Sequence, residues 1–439
     1  MAEKKIAVIG FGIMGAAIIC ALNQDFTDGH TLHVFDGLRF DGEASCACQD
    51  RVHGGLAVLN YSSGAYVESK HKGMLYLRLI SGVDPVKPAV YAFEGGIEHF
   101  EMFRSKAEAS GVPVKEISPT LELRKAFAPS AKVFVETLEY PTNFARLRSG
   151  MLRFTTDRIG DRFMLMKQNI DVVVPQKDGK LSLYSNNEEV GKYDIVINRA
   201  GRWANHISVK GYDQPLIPGA KQVRWPFFFV SRSALPELPS AMQRVLTLID
   251  EPGSINYSST FIPHLHKQEK QVITLDTKCP ALELADDPRQ LSPRGPEKYD
   301  HRDRTQRQMM ERIMESFPIT QKISHDDLRV VYGVHFRDID AKSSVHYTPS
   351  DIMTIHTYDG LDSYVVPFGG LATTCMLDAF DVANHVALKL EQSSYTHEER
   401  LAWLVKQGLP DYMRNASARN ESEMKRWERA LQKCDAEIE

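Results

Sequence analysis

One group of residues in this chain has the types and spacing needed to hold a phosphate. It is Gly10-Phe11-Gly12-Ile13-Met14-Gly15. An apolar run, Lys5–Ile9, precedes it, and a second, Ile13–Leu22, follows. A third, Thr31–Phe35, ends in Asp36, 26 residues after Gly10. In such a strand–turn–helix–strand unit Gly10 permits the tight turn, Gly12 lets backbone approach a pyrophosphate and Gly15 lets the helix lie close on the sheet. A helix opening at Ile13 and Met14 points N–H groups and a positive dipole end at the phosphates. Asp36, with Gly37 behind it, would accept hydrogen bonds from ribose hydroxyls. The turn alone does not say which dinucleotide it holds.

Two further groups carry the chemistry itself. In Ser45–Leu56 (SCACQDRVHGGL) the histidine of His53-Gly54-Gly55 has an ordinary pKa of about 6.5, which suits a base taking a hydroxyl proton. The glycine pair lets backbone come close to a flat ring. The alternative is a histidine hydrogen-bonded within its loop. Gly369-Gly370, just before a helix, leave N–H groups to stabilise a ring that becomes negative on reduction, or form a plain strand-to-helix turn. His335 and Arg337 are candidates for substrate contact, Arg337 through a bidentate pair with a carboxylate. For Arg337 an interface ion pair is the alternative. His264 and His266 alternate without a third ligand and read as a solvated face, not a metal site. Phe227-Phe228-Phe229 reads as packing.

The elements that must position these residues follow from periodicity. Helices are expected over Gly95–Ala109, Asn143–Asp161, Thr305–Phe317 and Thr373–Leu390. Strands are expected over Ile170–Val174, Leu181–Tyr184, Tyr193–Asn198, Gln222–Val230, Gln271–Asp276 and Ser363–Phe368. Pro226 suggests an edge or a bulge. Residues 36–69 read as irregular, 284–304 as a proline-rich surface loop, and the last ~45 as a charged amphipathic helix on a solvated face. Parallel-type strands lie at the start, middle and end, with antiparallel-looking ones between, which implies two discontinuous domains.

Composition bounds the setting. A net charge of −4 over 439 residues argues against bulk attraction to nucleic acid or anionic membrane. No run of about 18 apolar residues is present, so no integral membrane segment is expected. No apolar leader precedes the glycine turn, so a cytoplasmic protein is expected. Six cysteines make no disulfide framework at this length.

Taken in order, the motifs resemble the D-amino-acid-oxidase-like flavoprotein superfamily, nearest the glycerol-3-phosphate dehydrogenase/oxidase and L-2-hydroxyglutarate dehydrogenase branch. Asn198–Ala204 (NRAGRWA) is similar to its V-x-N-A-A-G-x-W-A strand end, Ser45–Gly55 to its S-x-x-x-H-G-G stretch, and Gly369–Thr374 (GGLATT) to its G-G-K-x-T-T turn. The resemblance spans most of residues 4–390. It implies an α/β (α+β overall) fold: a Rossmann-like FAD-binding domain (1–75, 145–215 and 345–392), an antiparallel-sheet substrate domain (76–144 and 216–344) and a helical C-terminal extension (393–439). It implies FAD held by Gly10, Gly12, Ile13, Met14, Gly15, Asp36, Gly37, Ser45, Gly54, Gly55, Val173, Ala200, Gly201, Trp203, Gly369, Gly370, Leu371, Ala372 and Thr373. Val173 would set backbone against the adenine. Catalysis would fall to His53, His335 and Arg337.

Two departures stand out. Leu371 replaces the lysine of G-G-K, and His335 replaces the arginine of G-V-R-P. Both remove positive charge where a phosphate or carboxylate would sit, which tells against glycerol 3-phosphate. The expected reaction moves a hydride from a CH–OH or CH–NH carbon of a small-molecule substrate to flavin. Oxygen, a quinone or a carrier protein would be the electron acceptor. The alternatives are an NAD(P)-dependent dehydrogenase, which Gly10–Gly15 also suits, and a flavin-binding protein whose catalytic site is altered.

Overall fold

A computed structural model describes residues 3–25, 29–37, 51–56, 59, 64–81, 87–231, 234–235, 238–250, 258–264, 272–277, 283–291, 294–338, 352–369 and 372–416. Its helices are α1 (Ile13–Leu22), α2 (Gly64–Ser81), α3 (Gly96–Ala109), α4 (Leu121–Ala126), α5 (Phe144–Ile159), α6 (Arg304–Ser316), α7 (Cys375–Lys389) and α8 (His397–Lys406). The expected helices appear within a residue or two of their predicted ends. α2 and α4 answer to no expected helix, and α2 begins inside the stretch that reads as irregular.

The first layer is a six-stranded sheet in the order Thr354–Tyr358, Leu361–Phe368, Ile195–Asn198, Lys5–Ile9, Thr31–Asp36, Phe163–Lys167. Five strands run parallel and Thr354–Tyr358 is an antiparallel edge. The parallel strands are continuous apolar runs because both faces are covered. α1 is buried at all ten positions and lies between the sheet and helices α5 and α7. Asn23, capping α1, donates to Thr155 Oγ1 of α5 (3.0 Å), while Phe11, before α1, lies under Arg148 near the start of α5. The two helices therefore run the same way, with their N-termini at the carboxyl ends of the strands.

The second layer is a ten-stranded sheet in which Ala220–Ser231 is central. The edge position suggested by Pro226 is thus corrected. Strand Leu328–Asp338 pairs along the whole of one side of it. On the other side Glu283–Ala285 pairs residues 222–224 and Val272–Thr277 pairs residues 228–231. Pro226, with no N–H to give, sits in the gap where one partner strand hands over to the next. Phe227 and Phe228 are buried, as packing requires. The proline-rich stretch 284–304 is not wholly loop: Glu283–Ala285 and Arg294–Lys298 are strands of this sheet. The expected strand Tyr193–Asn198 is divided. Tyr193 ends a strand of a separate four-stranded sheet, and Asp194 turns away to accept from Lys5 N (2.9 Å).

The C-terminal helices are not a solvated appendage. Leu401, Leu404, Leu409 and Met413 join the same core as α1 and α7. Arg400, buried, donates to Asp25 Oδ2 (2.8 Å) and to Asn384 Oδ1 (2.9 Å). The segment expected to present Arg419–Leu431 lies outside the described residues.

Removing one partner of a buried ion pair strands the other. Asp25→Ala is expected to cost about 3–5 kcal/mol, read as a lower urea midpoint at unchanged slope. A loss below about 1 kcal/mol would show that this pair does not anchor the C-terminal segment.

Candidate functional site

The candidate residues gather where the parallel strands end. Gly10 follows Lys5–Ile9, Gly37 follows Thr31–Asp36, Arg199–Gly201 follow Ile195–Asn198 and Gly369 follows Leu361–Phe368. Open parallel sheets bind ligands at this edge. A depression of about 270 Å³ at the opposite edge is lined by Lys4, Asp178, Lys180, Asp194, Asp362 and Lys389. Its charges are largely spent on each other, as Lys4–Asp194 and Lys389–Asp362 pairs.

The glycine turn is fixed by backbone approach. Gly10 has φ +101°, and a Cβ there would strike the Arg199 carbonyl and Ala200 Cα. A Cβ on Gly15 would strike the Gly10 carbonyl, so the helix presses on the turn itself. Gly12 is the N-cap of α1. No side chain caps this helix and no acid stands in its first turn, so an anion would meet no carboxylate competitor there. Ile13 and Met14 face the core. At the next strand end Asp36 Oδ1 accepts from Gly37 N (2.9 Å), and Gly37 packs on the Asn169 side chain.

Arg199 joins this turn to the third motif. Half-buried, it donates to the Pro367 carbonyl (2.9 Å) and to the Gly369 carbonyl (2.7 Å). Burial pulls its pKa down, and the charge of Asp378 opposes that. Asp378 lies in the first turn of α7 and accepts from Thr374 Oγ1 (2.7 Å). Burial pushes its carboxyl up to about 7, against the hydrogen bond from Thr374 and the charge of Arg199. Sequence reasoning gave Arg199 no role. The signal was its size: the family motif has alanine there.

The His53 turn closes the site. His53 N donates to Thr373 Oγ1 (3.2 Å), which brings residues 320 apart in sequence together. α2 lies against the same Thr373, because Gly73 has no side chain: a Cβ there would stand 2.6 Å from the Thr373 carbonyl and 2.9 Å from Thr374 Cα. The glycine pair has a different reason from the one expected. A Cβ on Gly54 would meet the Leu138 carbonyl at 2.6 Å, and Gly55, at φ +96°, abuts Val67. Both contacts are with protein. Gly54 N donates to Glu139 Oε1 (2.8 Å), and Glu139 pairs with Arg51, both buried. Arg51 also reaches Thr260 Oγ1 (3.1 Å) and Thr247 Oγ1 (3.2 Å) on the ten-stranded sheet.

The expectation of an ordinary His53 pKa is corrected. Burial, then the charges of Arg51 and Lys70, hold it well below the usual histidine range. Its Nδ1 is buried without a hydrogen-bond partner.

Other expectations fare differently. Val173 is buried inside the four-stranded sheet, and its carbonyl accepts from Lys210 N (2.9 Å), so that carbonyl is not left for an adenine. Gly201 and Trp203 are exposed, Trp203 under the Arg202 guanidinium. Ala372 is half-buried in the turn before α7. His335 and Arg337 lie on strand Leu328–Asp338, opposite Val223 and Lys221. Ser45, Gly370 and Leu371 lie outside the described residues. His264 bonds Thr274 Oγ1 (3.0 Å), and no metal-holding group of His, Cys, Asp or Glu occurs among the described residues.

The chain is similar in structure to L-α-glycerophosphate oxidase from Mycoplasma pneumoniae with FAD bound (14% identity, 90% of this chain and 96% of that chain, TM-score 0.61). It is similar to L-proline dehydrogenase from P. horikoshii (14% identity, 92% and 98%, TM-score 0.61). It also resembles NikD, an unusual amino acid oxidase essential for nikkomycin biosynthesis (13% identity, 91% and 97%, TM-score 0.61). The chain shares the fold of these proteins. No family model and no curated protein matches the sequence.

The raised pKa of Asp378 has a direct consequence. The fold favours its protonated form, so that stabilisation is complete below its unfolded pKa of 3.8 and is lost as pH rises through about 7. Asp378→Asn should therefore gain in melting temperature relative to the parent as pH goes from 5 to 8. Parallel melting curves for the two proteins across that range would contradict the assignment.

Proposed function

We propose that the chain is an FAD-dependent oxidoreductase that removes a hydride from a CH–OH or CH–NH carbon of a small polar substrate. One observation carries this: the glycine turn, the 198–201 segment, residues 367–369 and 372–374, and the His53 turn interlock at the carboxyl edge of one parallel sheet. The donors fit the cofactor. A glycine cradle and an uncapped helix suit a pyrophosphate, Asp36 a ribose, and the turn before α7 the electron-accepting ring. FAD, when bound, supplies the hydride acceptor.

The rest falls to the chain. The Thr373 hydroxyl and the Glu139 carboxylate hold the backbone of His53 and Gly54 between them. His53 is kept as neutral imidazole, able to accept a proton at Nδ1 or Nε2. Its low basicity has a cost. A proton acceptor works best with a pKa near the operating pH, and an alcohol needs such an acceptor where a free amine does not. This favours the CH–NH reading over CH–OH. Leu371 and His335, each in place of a family cation, fit a substrate without a phosphate. Oxygen, a quinone or a carrier protein would reoxidise the flavin. Titration with NAD(P)H separates this reading from a nicotinamide enzyme, and substrate-dependent bleaching separates it from an altered flavin-binding protein.

Purified protein should show flavin absorbance, and Gly12→Asp should abolish FAD binding because a carboxylate meets the pyrophosphate. Colourless protein that stays so after FAD addition, or stoichiometric FAD in the variant, refutes the proposal.

His53→Ala should keep FAD; anaerobic flavin reduction should slow by about 10²–10⁴-fold with an alcohol substrate, which needs a base, and far less with a free amine. In the parent no acid limb from His53 should appear near pH 6.5, because its neutral form persists far below that. A limb centred there, measured by stopped-flow reduction, would contradict the neutral histidine.

A further inference from the structure

Arg148 has no explanation in the packing of its own helix. It lies near the N-terminal end of α5, one residue past Leu147, which is buried in the core beside α1. Its guanidinium carbon stands 5.8 Å from the centroid of the Phe11 ring. Phe11 is itself the residue between Gly10 and Gly12, and is buried. Nη1 of Arg148 is buried and has no hydrogen-bond partner. Burying a guanidinium nitrogen without an acceptor is costly. Among the described residues no carboxylate is paired with it.

The direction of the helices adds to this. α1 and α5 run parallel, joined at their far ends by Asn23 and Thr155. Arg148 therefore stands at the same edge as the glycine turn. It is stacked on the one side chain that the turn inserts between its glycines. An acceptor arriving at that turn would meet a half-buried side chain with a full positive charge.

We propose that Arg148 is a phosphate-binding residue for the dinucleotide seated on Gly10–Gly15, supplying a charge-assisted hydrogen bond that the backbone of the turn cannot. This rests on the FAD reading of the site. The cation–π contact with Phe11 keeps the guanidinium beside the turn, which lowers the entropy left to lose when it binds. The ligand it recognises is a phosphodiester or pyrophosphate oxygen. A nucleoside without phosphate would gain nothing from it.

The test measures FAD affinity on the full-length protein stripped of its flavin. Arg148→Met should weaken FAD about 10- to 100-fold, the range of one charge-assisted hydrogen bond. Its affinity should also depend less on salt than the parent's. Adenosine and riboflavin, which carry no phosphate, should bind parent and variant alike. FAD affinity within twofold of the parent would overturn the proposal, as would an equal loss for FAD and riboflavin, which marks a packing defect. If Arg148→Met does not fold, Arg148→Gln keeps a polar stem, and the same two comparisons decide. A parent that binds no FAD sinks the flavin reading and this inference with it. A parent that binds FAD, beside a variant that binds it equally well, sinks only the role of Arg148.

Discussion

The arrangement turns on one half-buried arginine, Arg199. The Arg199 carbonyl is where a Cβ on Gly10 would collide, so the first strand–helix turn and the end of strand Ile195–Asn198 are in backbone contact. Its guanidinium then spans to the Pro367 and Gly369 carbonyls, and its charge faces Asp378 on α7. Three stretches of chain separated by well over a hundred residues are fixed by this side chain. A residue of alanine size, as the family motif has, could make the backbone contact and none of the others. The buried charge must be matched, since an isolated ion in the interior is costly. Two carbonyls and a partly ionised aspartate do so without a full ion pair.

The loop bearing His53 is held by a second buried set, and this one does carry a full pair. Glu139 accepts from Gly54 N and from Arg51, and Arg51 reaches two threonines of the ten-stranded sheet. Such a pair adds little net stability against an apolar alternative, because desolvation offsets the attraction. What it adds here is direction. Each acceptor and donor has a single place, and the loop cannot slide along the sheet without stranding a charge.

Much of this was legible in the sequence. The first βαβ unit was readable because an apolar strand, a glycine turn and an acid at the end of the next strand are all local signals. The order of the later motifs pointed to the fold. The reasons for individual glycines were less readable. Gly54 and Gly73 are glycine because of the Leu138 and Thr373 carbonyls, contacts across 84 and 300 residues that no local pattern encodes. α2 was hard to read because Lys70 and Gly73 interrupt its buried apolar stripe. The His53 pKa was misjudged for a related reason. The ordinary histidine pKa describes a solvated ring, and burial between Arg51 and Lys70 is a tertiary fact. Pro226 signalled a break in the ladder correctly but its side wrongly, since a central strand can hold a proline where partner strands change over.

His53 thereby stands at a point where the two layers meet. Its own N–H rests on Thr373, which belongs to the turn before α7 and so to the parallel sheet. The next N–H rests on Glu139, which is tied through Arg51 to the antiparallel sheet. Two consecutive amides are thus anchored to different bodies, and a shift of one sheet against the other by even an ångström would break one of these bonds. A reactive centre needs its proton acceptor held within about 0.5 Å of its working position. A loop anchored to one layer alone would follow that layer and lose register with the other. Anchoring it to both makes the distance between the carboxyl edge of the parallel sheet and the ten-stranded sheet a fixed quantity, set by a threonine on one side and a buried carboxylate on the other.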